Sequence, residues 1–318
     1  MRAHAIVWGA AGLLLFSGCS SSSHVDAVTT TVAPADSSTV PTTVAPEPTE
    51  SLTLPPPPIN TATVPATTVV PATSALDPVA APLRILVTND DGVGAAGIDA
   101  LVQGLQTLDF VEITVVAPLE NQSGKGDSVT DTATAGPLVA TQTATASGFP
   151  ATAIAGTPAD TVIWAVEQKG LAQVPDFVVS GINDGQNIST AIVHASGTIG
   201  AARRAAMDGI PSIAVSFSLG NNGDFAPAVK ALLAWFSENV PQLVTDATEN
   251  AVESFANMNV PNCPALGKSV VGFAVVPPGD LGTRDYSAFD CSGTPNPVDD
   301  VAAYEAGYVA ISEISLSA

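Results

Sequence analysis

The chain has 318 residues, a length that would accommodate two domains, and a formal net charge of −21. The first 82 residues hold one basic and five acidic side chains, so the remainder carries most of the charge, with eight basic and twenty-five acidic ones. A surface of this sign repels nucleic-acid polymers and anionic membranes and argues against both as partners, whereas a small phosphorylated substrate stays possible where a cation and backbone amides reverse the local potential.

The first 19 residues are typical of an export signal. The apolar run over residues 5–16 is shorter than the roughly 20 residues that a membrane-spanning helix needs. Because Ser17 and Gly18 are followed directly by Cys19, the segment resembles a bacterial lipoprotein signal, in which that cysteine is lipidated. An uncleaved anchor helix and ordinary secretory cleavage are the alternatives. We expect an exported protein, in the cell envelope or outside the cell, that contacts the membrane only through this lipid anchor.

Residues 20–82 have a different composition from the rest of the chain. They are rich in Ser, Thr, Pro, Ala and Val, include four consecutive prolines at 55–58, and show no helical or strand period. A segment of this kind cannot bury a core. We therefore predict a disordered tether over 20–82 and one folded domain over 83–318.

The folded part opens with a strand that leads into two acids. Apolar residues 85–87 precede Asn89, Asp90, Asp91 and Gly92, as at the carboxyl end of a buried strand. Two adjacent carboxylates repel each other, which favours a bound cation. The alternative is an Asp-Gly turn in which one Asp caps the next helix.

The elements that follow predict an α/β protein. A helix over 97–108 and a strand over 111–117 complete a strand–helix–strand unit, which implies a parallel crossover and a three-layer, doubly wound, mostly parallel sheet. The later predicted elements are short strands or a hairpin within 127–153, a helix at 161–170, a strand at 177–179 that ends in a loop at 180–187, a helix that opens at 194–198 and runs to 207, a strand at 212–217, a helix at 226–236, and strands at 270–276 and 308–314.

Successive strand ends place oxygen donors on one edge of this sheet. Asp90 and Asp91 follow the first strand, Ser123 lies in the loop after the second, and Asn183 lies in the loop after a later one. Open α/β sheets bind ligands at this edge. Since no His or Cys lies near these residues in sequence, the donors suit Mg²⁺, Mn²⁺ or Ca²⁺ rather than zinc. The helix that opens at Ser196–Thr198 is placed to point free amides at a phosphate.

Six ordered motifs resemble those of the SurE family of survival-protein 5′-nucleotidases. The similarity runs from about residue 84 to 217, with weaker echoes at 259–261 and 300–311. The motifs are RILVTNDDGV at 84–93 with GI at 97–98, VVAP at 115–118, NQSG at 121–124, GTPAD at 156–160, SGINDGQN at 180–187 and SGTIGAA at 196–202.

The resemblance implies an α/β phosphomonoesterase that hydrolyses nucleoside 5′-monophosphates with one divalent metal ion. Asp90 and Asp91 are the expected catalytic residues, with the roles of orienting a water and holding the metal divided between them. The cation polarises the phosphoryl oxygens and activates the water, which attacks in line. Matched position by position, the metal ligands are Asp90, Asp91, Ser123 and Asn183, and the contacts to the substrate phosphate are Asn187, Ser196, Gly197 and Thr198.

Two features of the chain bear on stability and assembly. After Cys19, the pair Cys263 and Cys291 remains, and outside the cytoplasm an even pair predicts a disulfide, with two buried free thiols as the alternative. The chain departs from the family pattern at Ala195, where the family usually has Tyr, and in a shorter segment between 261 and 300. Homo-oligomerisation, which that segment supports in the family, is therefore left open.

Other functions on the same fold stay open. One is a non-catalytic lipoprotein that captures a ligand, and another is a phosphatase of broad specificity. A haloacid-dehalogenase-like phosphatase is disfavoured, because its nucleophile loop needs Asp-x-Asp whereas Asp90 and Asp91 are adjacent.

Overall fold

The computed structural model describes residues 81–317. The predicted signal segment with Cys19 and almost all of the predicted tether lie outside the described residues. Within 81–317, none of the helices combines the length and the apolar character needed to cross a membrane.

Within the described part, nine strands form one mixed sheet. In chain order they are β1 (Leu83–Thr88), β2 (Val111–Pro118), β3 (Ala140–Ala144), β4 (Pro150–Ile154), β5 (Phe177–Asp184), β6 (Ser212–Phe217), β7 (Ser254–Val260), β8 (Phe273–Val275) and β9 (Val309–Ser315). Across the sheet the order is β3-β4-β2-β1-β5-β6-β7-β9-β8. Six neighbouring strands of the sheet are parallel: β4, β2, β1, β5, β6 and β7. Strand β3 runs antiparallel to β4, and β9 runs antiparallel to β7. The predicted mostly parallel α/β sheet is confirmed.

Helices cover both faces of the sheet. They are α1 (Ala96–Leu105), α2 (Thr132–Ala135), α3 (Pro158–Val166), α4 (Thr190–Val193), α5 (Gly197–Met207), α6 (Ala226–Glu249) and α7 (Asp300–Glu305), with a 3-10 turn at Cys263–Leu266. One core joins α1 and α6 to Ile85 and Val87 of β1, and a second joins α3 and α5 to Leu86. The architecture therefore has three layers.

Strand β1 is the most enclosed part of this arrangement. Its residues Ile85, Leu86 and Val87 are at most 1% exposed, and β2 and β5 pair with it on either side. Each fully buried aliphatic side chain contributes about 1.5–3 kcal/mol relative to an exposed one. The acids that follow β1 are thus attached to a rigid base.

Several predicted boundaries are wrong. The loop predicted at 180–187 begins later, because β5 resumes its pairing with β6 at Asn183 after an irregularity that follows Ser180. The helix predicted at 161–170 begins at Pro158, where Thr157 and Asp160 form a capping box, and ends at Val166. Tertiary pairing and capping therefore decide these ends, whereas hydrophobic periodicity locates only the middle of each element.

The part of the chain after residue 236 differs most from expectation. Helix α6 continues past the predicted end at 236, through Pro241, to Glu249. Strand β7 and helix α7 were not predicted, and the strand expected at 270–276 is the three-residue β8. In this region Cys263 and Cys291 form a disulfide, with their Cα atoms 5.9 Å apart.

Candidate active site

A cavity of about 290 Å³ opens at the carboxyl edge of the sheet. Because β1 lies between β2 and β5, the chain segments that follow or end these three strands meet there. The polar residues on its wall include Asp90, Ser123, Asn183, Asn187 and Ser196, and Asp184, Gln186 and Tyr286 line it as well. The sheet therefore brings five residues that the sequence singled out to one place.

Asp90 is the buried acid of this cavity. It is 3% exposed, and its Oδ1 accepts a hydrogen bond from the Thr198 hydroxyl at 2.7 Å. Burial raises the pKa of Asp90 to about 6, with a further rise from the charge of Asp91 and an opposing effect from the Thr198 hydrogen bond. None of the salt bridges within residues 81–317 involves Asp90 or Asp91. A nearby positive charge would therefore favour the ionised form of Asp90.

Asp91 is half-buried beside the cavity rather than on its wall. Its Oδ1 accepts from Asn121 Nδ2 at 3.0 Å and its Oδ2 accepts from the backbone N–H of Asp184 at 3.2 Å. Burial raises the pKa of Asp91, and these hydrogen bonds oppose the rise. Each oxygen keeps a second lone pair, so the carboxylate is oriented by Asn121 after β2 and by Asp184 at the end of β5, and it can still bind a cation.

Ser123 and Asn183 add neutral oxygens. The loop that carries Ser123 is shaped by Asn121, whose Oδ1 accepts from the Ser123 N–H at 2.9 Å, and the Ser123 side chain is exposed. Asn183 Nδ2 donates to the Gly185 carbonyl at 2.6 Å, which turns the NH₂ group into its own loop. The Asn183 Oδ1 is then the atom of that side chain available to a cation.

This donor set fits a hard divalent cation. Two carboxylates, a hydroxyl and an amide carbonyl are the oxygen ligands that Mg²⁺, Mn²⁺ and Ca²⁺ take, and the buried carboxylate lacks a basic partner among the described residues. A cluster of three or more His, Cys, Asp or Glu side chains able to hold a metal does not occur between residues 81 and 317. The fit therefore rests on the mixture of acidic and neutral oxygens.

The start of α5 packs directly against Asp90. A Cβ atom on Gly197 would lie 2.8 Å from the Asp90 Cβ and 3.0 Å from Pro158 Cγ, so only glycine allows this approach. Ser196 caps the helix by accepting from the Ile199 N–H and also lines the cavity. Thr198 is fully buried and does not line the cavity, and its hydroxyl donates to Asp90. In the structure the Thr198 side chain thus supports the acid.

A second close contact fixes the loop after β2. The Gly126 N–H donates to the Ala195 carbonyl at 3.0 Å, and a Cβ on Gly200 would lie only 1.9 Å from the Gly126 carbonyl oxygen. The loop that carries Ser123 therefore rests on the first turn of α5. The positions of the Ser123 and Ser196 side chains are coupled by backbone contact.

Three polar residues that the sequence did not mark as site residues hold Asn187. Its backbone N–H donates to Asn259 Oδ1 at 2.6 Å, its carbonyl accepts from Asn257 Nδ2 at 2.9 Å, and its Nδ2 donates to Ser216 Oγ at 2.9 Å. Its Nδ2 also donates to the Thr198 hydroxyl at 3.2 Å. The two asparagines alternate along β7, and this period of two on one face was the available signal.

Comparisons with known proteins identify relatives of this chain. The family model described as survival protein SurE matches residues 85–288. A protein of Brevibacillus brevis named 5′-nucleotidase SurE is 38% identical over 191 residues, which cover 57% of this chain and 68% of that protein. A Methanococcoides burtonii protein of the same name is 34% identical over 253 residues, which cover 74% of this chain and 94% of that protein.

A solved structure shares the fold. The crystal structure of the SurE protein from Aquifex aeolicus superposes with a TM-score of 0.55 at 28% sequence identity, covering 73% of this chain and 93% of that one. The family model spans more than half of the chain, and the Methanococcoides burtonii relative is matched over nearly its whole length. The chain therefore belongs to the survival protein SurE family.

Proposed function

We propose that this chain is a metal-dependent phosphomonoesterase that hydrolyses nucleoside 5′-monophosphates to nucleoside and inorganic phosphate. The observation that carries the proposal is Asp90, a nearly buried carboxylate with a raised pKa on the wall of a cavity that also presents neutral oxygen donors. The names of the two relatives, 5′-nucleotidase SurE, support the same activity.

In this proposal four side chains hold one divalent cation: Asp90, Asp91, Ser123 through Oγ, and Asn183 through Oδ1. When bound, the cation supplies Lewis acidity that neutralises charge on the phosphoryl oxygens. Asn187 and Ser196 line the cavity at the opening of α5, where helix amides favour an anionic phosphate.

Asp90 is also the proposed group that orients the water. Its Oδ1 is engaged by Thr198, which leaves Oδ2 to accept a hydrogen bond from a water placed for in-line attack. The water oxygen forms the new bond to phosphorus and gives up a proton, the bond from phosphorus to the 5′-oxygen breaks, and that oxygen takes up a proton to leave as the hydroxyl of the nucleoside. Asp91, held by Asn121 and Asp184, keeps its place during this step.

The test is phosphate release from a panel of phosphomonoesters with Mg²⁺, Mn²⁺ or Ca²⁺. We expect chelation to abolish release and Asp90→Asn to lower kcat by about 100-fold or more, as loss of a positioned acid or base does. Asp109→Asn is the matched control and should retain full activity. Asp109 is an exposed acid that precedes β2, at the edge of the sheet opposite the cavity. Release that survives both chelation and Asp90→Asn would refute the mechanism.

We also propose that the protein is exported and tethered by lipid on Cys19. The disulfide between Cys263 and Cys291 supports this, because such bonds persist in oxidising compartments outside the cytoplasm. In cells of the source organism, Cys19→Ser should move the protein from the membrane fraction to the soluble one. An unchanged membrane fraction would contradict the lipid tether.

A further inference from the structure

The lining of the cavity combines polar and apolar residues. Asp90, Ser123 and Asn183 supply oxygen donors, and Leu219 and Tyr286 supply an aliphatic and an aromatic side chain. A volume of about 290 Å³ approaches the size of sites that bind small organic ligands and exceeds what a phosphate group needs. The cavity therefore has room for more of the substrate than its phosphate.

We propose that Leu219 and Tyr286 form the subsite for the nucleobase and thereby select nucleotides over other phosphomonoesters. This inference rests on the proposed function, because it assigns the specificity of the same cavity. Bases stack on aromatic rings through a face that every base has, so such a subsite recognises a nucleobase without selecting one base by hydrogen bonds.

Leu219 lies close to Asn183, one of the proposed cation ligands. It follows β6, its side chain is 54% exposed, and its Cδ2 lies 3.3 Å from the position that a Cβ on Gly185 would take. The same position is 3.7 Å from Asn183 Nδ2. The exposed, apolar side chain of Leu219 thus lies near the polar side chain of Asn183. A site that binds the phosphate and the base of one nucleotide needs both kinds of side chain.

Gln186 connects the two members of the subsite. It is 1% exposed and lines the cavity, its Nε2 donates to the Tyr286 carbonyl at 2.8 Å, and its Oε1 accepts from the Leu219 N–H at 3.4 Å. The Tyr304 hydroxyl donates to the same Oε1 at 3.4 Å. A buried amide therefore sets the spacing of Leu219 and Tyr286, which identifies Gln186 as a positioning residue.

Tyr286 belongs to a segment without helix or strand that is fixed by tertiary contacts. Arg284 forms a salt bridge with Asp299 at 3.2 Å on one side of it, and the disulfide at Cys291 anchors the other side. Burial raises the pKa of Tyr286 to about 12, so the ring stays neutral at physiological pH. The segment thus presents a fixed, uncharged aromatic residue to the cavity.

The experiment compares adenosine 5′-monophosphate with ribose 5-phosphate, which lacks the base. In the full chain with the activating metal, Tyr286→Leu should lower kcat/KM for the nucleotide about 5- to 100-fold, mainly through KM, since stacking on an aromatic ring is lost. Leu219→Ala should lower it in the same way, whereas ribose 5-phosphate should change less than about twofold with either variant. Tyr286→Phe, which keeps the ring, should behave as the wild type.

Leu266→Ala is the matched control for Leu219→Ala. Leu266 is 48% exposed on the 3-10 turn and does not line the cavity, so its replacement should leave both substrates unaffected. Equal losses for the nucleotide and ribose 5-phosphate in Tyr286→Leu and Leu219→Ala would overturn the subsite while leaving the phosphomonoesterase intact.

Calorimetric binding of adenosine, which carries no phosphate, separates the subsite from catalysis. We expect the wild type to bind adenosine and Tyr286→Leu to bind it at least about fivefold more weakly. If the wild type releases no phosphate yet binds adenosine in this Tyr286-dependent way, the proposed function fails and the subsite stands. If adenosine binding is the same in the wild type, Tyr286→Leu and Leu219→Ala, the subsite is refuted whatever the activity.

Discussion

Gly200→Ala tests whether backbone contact between α5 and the loop after β2 sets the geometry of the cavity. A Cβ at this position would lie 1.9 Å from the Gly126 carbonyl oxygen, 2.4 Å from its carbonyl carbon and 2.8 Å from the Asp127 nitrogen. All three are backbone atoms, so no side chain can rotate out of the way. The helix and the loop that carries Ser123 must separate instead.

The size of the effect follows from these distances. Real Cβ contacts essentially never fall below 3.0 Å, so the gap to the oxygen must grow from 1.9 to 3.0 Å, by about 1.1 Å. Overpacking costs about 1–3 kcal/mol, and replacing glycine by alanine inside a helix returns about 1 kcal/mol, so the net loss of stability is roughly 0–2 kcal/mol. A displacement near 1 Å at a reacting centre lowers the rate by up to about 100-fold.

The assay pairs phosphate release from a nucleoside monophosphate with thermal unfolding of the same preparation. We expect Gly200→Ala to remain folded, with a modest loss of Tm and a large loss of kcat. Gly94→Ala is the control, because no heavy atom lies within 4 Å of its added Cβ, and it should match the wild type in both measurements. Full activity in Gly200→Ala would show that the Ser123 loop is not held by α5, and the reasoning would be wrong.

Two further predictions concern stability. The Arg84 hydrogen bond lowers the pKa of Asp176 against the opposing effect of burial, so Asp176 stabilises the fold above its unfolded pKa of about 3.9, and this is lost as the pH falls through the folded value. Asp176→Asn should therefore lower the free energy of urea unfolding by about 1 kcal/mol at pH 7 and by much less near pH 2, and a pH-independent difference would contradict this. Replacing both Cys263 and Cys291 with Ser removes a cross-link between residues 28 apart and should lower that free energy by about 3–4 kcal/mol in the chain-entropy model, whereas a loss below about 1 kcal/mol would show that other contacts hold the segment.

The part of the site that could be predicted depends on local pattern and on the topology it implies. The apolar run of β1 followed by Asp90 and Asp91 is visible in nine residues, because a buried parallel strand and its acidic end are contiguous in the chain. Ser123 and Asn183 were placed at the same edge because parallel strands share one carboxyl edge. The observed neighbours β2-β1-β5 bear out that step, although Asn183 lies within β5 rather than after it.

The remainder could not be predicted because its residues depend on partners that are distant in sequence. The segment around Tyr286 has no hydrophobic period and takes its conformation from Gln186, a hundred residues earlier, and from the disulfide at Cys291. Similarly, no local pattern indicates that the Thr198 hydroxyl donates to Asp90, because this contact depends on the close approach of α5 that Gly197 allows.

One chain of hydrogen bonds joins residues that local pattern indicates to residues that it does not. Asn259 of β7 accepts from the backbone N–H of Asn187, Asn187 Nδ2 donates to the Thr198 hydroxyl, and Thr198 donates to Asp90. All four side chains are at most 6% exposed, and a buried polar group left without its partner costs about 1–3 kcal/mol. A strand that local pattern did not indicate therefore fixes the orientation of the acid that local pattern did indicate. The side chain of Asp90 is thus held from β7, while its backbone carbonyl accepts from the Gln122 N–H at 2.7 Å, in the loop that carries Ser123.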